Sequence, residues 1–96
     1  MKLILITYNE AIDDEVSEVL GHCGLEYYTK WQRVLGKGKL SGSHLGTSVW
    51  PGQNNVLAVV CEDDKIKTLL CCIRDLRKKL GKEGIKAFVL PVEEVV

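Results

Sequence analysis

Apolar residues in this chain recur either without a break or at helical spacing, and the switches between these patterns mark its elements. Residues 3–8, Leu-Ile-Leu-Ile-Thr-Tyr, are apolar at odd and even positions alike, as a strand covered on both sides would be. Ile12, Val16, Val19, Leu20 and Cys23 then draw one stripe down a helix predicted over residues 12–23. Asp13, Asp14 and Glu15 in its first turn complement the helix dipole, and Gly24 stops it. Residues 25–35, dense in aromatic and β-branched types, read as a second strand with Leu25, Tyr27, Thr29, Trp31 and Arg33 on one face. Residues 36–54 hold five glycines and no sustained period, which predicts a long loop. Residues 55–61 form a third strand. Asp63 or Asp64 caps a second helix, striped by Ile66, Leu69, Leu70, Ile73, Leu76 and Leu80 and ended by Gly81. Residues 85–92 close the series as a fourth strand.

The order β-α-β-β-α-β predicts an α+β fold of ferredoxin-like type, a four-stranded antiparallel sheet with two helices on one face. The apolar first strand belongs in the centre of that sheet and the aromatic second strand at an edge. The whole chain, residues 1–96, reads as one domain. An aromatic edge strand beside a long loop also invites an oligomer contact.

Composition narrows the classes. Thirteen basic residues balance thirteen acidic ones, so no net field attracts nucleic acid or an anionic membrane. No apolar run approaches the roughly 20 residues of a membrane helix, and the opening apolar stretch lacks the cleavage pattern of a signal peptide. The four cysteines, Cys23, Cys61, Cys71 and Cys72, form no C-x-x-C pair. They read as free thiols in a reducing cytoplasm, as small hydrophobes rather than nucleophiles.

Candidate chemistry concentrates in the loop. Its glycines expose backbone N–H groups beside Lys37 and Lys39, an arrangement able to cradle a phosphate or another anion, although the Walker A spacing is missing. His44 is a single imidazole; a metal would need three copies of it from a trimer. His22 suits the dipole at the end of the first helix. Trp31, Trp50, Tyr27 and Tyr28 are better read as core or subunit packing than as a base-stacking platform. No nucleophile–base set or paired carboxylates can be argued, so an enzyme is not expected.

Residues 86–94, Lys-Ala-Phe-Val-Leu-Pro-Val-Glu-Glu, resemble the closing strand of the P-II nitrogen-regulatory signalling proteins. Asp14-Glu15-Val16, Gly24-Leu25 with Thr29, and Val59-Val60 with Asp63-Asp64 fall in the same family order. The loop motif from Gly36-Lys37-Gly38 through Ser41-Gly42, His44-Leu45-Gly46-Thr47 and Trp50-Pro51-Gly52 to Asn54-Asn55 resembles a short P-II-like branch. The resemblance implies a homotrimer for signal transduction in nitrogen regulation. A small effector, ATP or ADP, would bind in clefts between subunits, and the loop would signal to a protein partner, a transporter or an enzyme. By position, Thr29, Gly36, Lys37, Gly38 and Lys86 match places that grip the nucleotide, with Lys39 beside them. The chain departs from the family in lacking the P-G-D-G-K turn before the last strand and any tyrosine in the loop, so uridylylation is not implied. The divalent-cation-tolerance trimers share the fold and a V-L-P-V ending; that alternative makes His44 and the cysteines metal ligands.

Overall fold

The computed structural model describes residues 1–36, 53–80 and 84–96. Strands β1 (Lys2–Asn9), β2 (Thr29–Leu35), β3 (Gln53–Cys61) and β4 (Ile85–Pro91) alternate with helices α1 (Asp13–His22) and α2 (Asp63–Leu80) in the predicted order. They form one sheet in the order β2-β3-β1-β4, with every neighbouring pair antiparallel. This is the ferredoxin-like arrangement. β1 is central and β2 lies at an edge, as the patterning predicts.

Alternation divides the strands between two faces. Ile4, Ile6 and Tyr8 of β1 align with Val59, Leu57 and Asn55 of β3 and with Val89, Ala87 and Ile85 of β4. Most of this row is buried beneath the helix stripes, Val16 and Leu20 from α1 and Ile66, Leu69, Ile73 and Leu76 from α2. Both helices therefore cover the same face. The opposite row runs through Leu3 and Leu5, Val56, Ala58 and Val60, Phe88 and Leu90, and Trp31. It has no cover from the described residues: Val60 is 48% exposed, Phe88 51% and Trp31 49%.

β3 begins at Gln53, two residues before the expected start, and three further local features depart from expectation, each for a physical reason. A 3₁₀ turn, Glu10–Ile12, precedes α1, because the Asn9 side chain accepts a hydrogen bond from the Ala11 N–H at 2.8 Å and starts the turn early. β2 begins at Thr29 rather than residue 25. Gly24 takes φ +70° and the Leu25 N–H bonds back to Leu20 O, so residues 25–28 serve first as a helix exit. A bulge between Trp31 and Val34, with Arg33 at φ 56°, then breaks the alternation that placed Arg33 in line with Trp31. Among the described residues no helix is long and apolar enough to cross a membrane.

Candidate ligand site at the loop-bearing end of the sheet

Antiparallel pairing brings four strand ends together. Asn9 pairs with Asn54, Leu35 pairs with Gln53, and the Asn9 N–H donates to Gly84 O at 3.1 Å. Both undescribed segments, residues 37–52 and 81–83, attach at this end of the sheet. Here the Asn54 side chain lies against the backbone of Gly36: a Cβ on Gly36 would stand 2.6 Å from Asn54 Nδ2, so a larger residue there requires that side chain to move. Across the sheet, Arg77 of α2 donates from Nε and Nη2 to Ile85 O at 3.2 and 2.9 Å and pins the start of β4.

A polar network buttresses this end from the covered side. Asp13 Oδ1 accepts hydrogen bonds from the Tyr8 hydroxyl at 2.6 Å and Asn55 Nδ2 at 3.2 Å, and pairs with Lys30 Nζ at 2.6 Å. Asn55 Oδ1 in turn accepts from the Arg33 backbone N–H at 3.1 Å, which satisfies a donor freed by the bulge. Burial by itself would raise the Asp13 pKa, but the bonds from Lys30, Tyr8 and Asn55 outweigh it and hold the carboxyl below its usual value. Burial, then the bond to Asp13, pushes the Tyr8 hydroxyl well above its ordinary range. Asp13 is thus an anion and Tyr8 a neutral donor at physiological pH. Through Asn55 the network holds the bulge.

The anticipated ligand residues separate. Gly36 lies at the loop-bearing end, as the continuation of β2. Lys86 sits near the same end on the opposite edge strand, paired with Thr7 on the open face, and is exposed. Thr29 opens β2 beside Ala58, level with Leu5 at the middle of the sheet. The five positions from Ala58 to Gln53 on the paired strand put it roughly 17 Å from Leu35. Lys37, Gly38, Lys39 and His44 lie outside the described residues. Among the described residues no group of three or more His, Cys, Asp or Glu side chains could hold a metal. The metal alternative therefore has no support.

Sequence reasoning assigned Asp13 only to the helix dipole and overlooked Tyr8, Lys30 and Asn55. One signal was available. Asn55 is in phase with inward Leu57, Val59 and Cys61, and a polar residue on a buried stripe requires partners.

Comparison with known proteins agrees with this architecture. No curated protein sequence matches. CPII from Thiomonas intermedia, a nitrogen regulatory PII-like protein solved with ADP, AMP and bicarbonate, superposes with a TM-score of 0.68 at 14% identity, covering 99% of this chain and 94% of that one. Its complex with ADP and bicarbonate gives 0.66 at 14% identity, over 97% and 88% of the two chains. A candidate PII-like signaling protein from Thermus thermophilus gives 0.60 at 20% identity, over 93% and 82%. At these identities the likeness establishes the fold. The sequence profile of the nitrogen regulatory protein P-II matches residues 1–96, the full span over which the elements above were traced, and the chain therefore belongs to the P-II family.

Proposed function

We propose that this protein is a signalling regulator that binds an adenine nucleotide in clefts between the subunits of a homotrimer, and that loop 36–54 conveys occupancy to a partner protein, a transporter or an enzyme. It performs no catalysis of its own. The observation that carries this reading is the division of the anticipated ligand residues. With Gly36 past the end of β2, Thr29 level with the middle of the sheet on that same edge, and Lys86 on the opposite edge strand three strands away, a single chain cannot close them around one small molecule. A neighbouring copy brings its own Thr29 to complete the site. The apolar open face supplies the reason to assemble, because an antiparallel sheet with one face in water ordinarily carries polar residues there. Thiomonas CPII, which shares this fold, was solved with ADP and AMP, which supports a nucleotide as effector. In this reading Lys86 and Lys37 contact phosphate oxygens, and Gly36 and Gly38 let the backbone approach them.

Native mass spectrometry with and without ADP, or ATP and magnesium, tests the proposal. The expected species is a trimer carrying up to three nucleotides. Lys86→Ala is expected to weaken binding by about 1–3 kcal/mol. A monomer would remove the cleft mechanism, and unchanged affinity in both Lys86→Ala and Lys37→Ala would remove the assigned phosphate contacts.

A further inference from the structure

We infer that Cys23 and Cys72 form a reversible redox pair, in which a disulfide ties the end of α1 to the middle of α2. Although 49 positions apart in sequence, their Sγ atoms stand 3.9 Å apart, in van der Waals contact. Both side chains are half-buried, whereas Cys61 is buried and Cys71 exposed. Bonding requires the sulfurs to close by about 1.9 Å to reach the usual S–S length. The geometry on the α1 side permits that approach. Cys23 has already left helical geometry, with ψ 2°, and Gly24 at φ +70° follows it. The giving side is thus a helix terminus, and Cys72 is held within an 18-residue helix.

The oxidant is a peroxide. One thiolate attacks the peroxide oxygen, the O–O bond breaks, and a sulfenic acid and water result. The second sulfur then attacks the sulfenic sulfur; the S–S bond forms, the S–O bond breaks, and the hydroxyl leaves as water. Two thiols are oxidised and one peroxide is reduced to two waters. Burial, followed by contact with Cys72, pushes the Cys23 thiol up to about 11, so only a small fraction is thiolate at neutral pH and the step in which Cys23 attacks is the slow one. Once closed, the bridge fixes the α1 exit and with it residues 24–28, which lead to Thr29. Oxidation thereby stiffens the start of β2.

Treating the purified full chain with hydrogen peroxide and mapping peptides without reduction tests this. A linked Cys23–Cys72 peptide is expected, with two of the four cysteines lost to thiol titration and the melting temperature raised by several degrees. Dithiothreitol should reverse all three changes. Cys71→Ala should behave as the native chain does, and Cys72→Ala should lose the bridge. Oxidation confined to Cys71, as an intermolecular disulfide or a sulfinic acid, with Cys23 and Cys72 still reduced, would overturn the inference. So would a Cys23–Cys72 bridge that appears only after the chain is unfolded in urea. Neither result depends on whether a nucleotide binds.

Discussion

The two faces of the sheet are built from nearly the same residue types and meet different fates. Ile4 and Ile6 are fully buried, whereas their neighbours along β1, Leu3 and Leu5, are only partly covered. On β3 the contrast repeats between Val59, 1% exposed, and Val60, 48% exposed. The helix stripes account for the first face. Nothing among the described residues accounts for the second, where Phe88, Leu90 and Trp31 continue the apolar surface across the sheet. Strand composition therefore reports that both faces are to be covered, and the described helices cover only one. In the trimer proposed above, neighbouring subunits supply the missing cover.

Paired truncations sharpen that contrast. Leu69→Ala removes a wholly buried α2 side chain and is expected to cost about 2–5 kcal/mol at any protein concentration. Phe88→Lys places a charge on the open face. In a trimer it should produce dissociation on native mass spectrometry and abolish the concentration dependence expected of the native chain's melting temperature. On a face that stays in water, the same change should alter stability by no more than about 0.5 kcal/mol and leave the mass unchanged. That outcome would break the comparison.

A smaller effect is expected where the covered face meets the loop-bearing end. Asp13→Asn weakens the bonds from Lys30 and Tyr8 and should cost about 1–3 kcal/mol at neutral pH, measured by urea unfolding. The acid dependence has a definite sign. The folded-state pKa of Asp13 lies below its ordinary value, so its contribution is present above the unfolded value of about 3.9 and is lost as pH falls through the folded one. The native chain should therefore lose stability from about pH 4 downward, and Asp13→Asn should lack that part of the slope. If both proteins show the same acid profile, the network does not hold Asp13 ionised.

The smallest change concerns the bulge. Arg33 occupies left-handed backbone at φ 56°, which costs a non-glycine residue about 1–2 kcal/mol. Arg33→Gly relieves that strain at some entropic cost and keeps the backbone N–H that bonds Asn55. The exposed pair with Glu10, at 3.6 Å, contributes little. A net gain of up to about 1 kcal/mol is expected, read as a slightly higher urea midpoint. A clear loss would show that the Arg33 side chain is needed where it stands.

Element order, the central place of β1, the edge position of β2 and both helix stripes were legible in the sequence by itself. These depend on local periodicity: one stripe per helix and a two-sided apolar run for a central strand. The resemblance of residues 86–94 to the P-II closing strand also pointed to the family that the chain belongs to. Tertiary structure decided what depends on partners distant in the chain. Asp13, 42 positions from Asn55, becomes the hub of a network only once α1 lies over β3. The late start of β2 and its bulge depend on how the chain leaves α1 and on what Asn55 offers Arg33. The contact between Cys23 and Cys72 exists only because both helices share one face of the sheet. Periodicity specifies which side of an element is buried; only packing specifies what it is buried against.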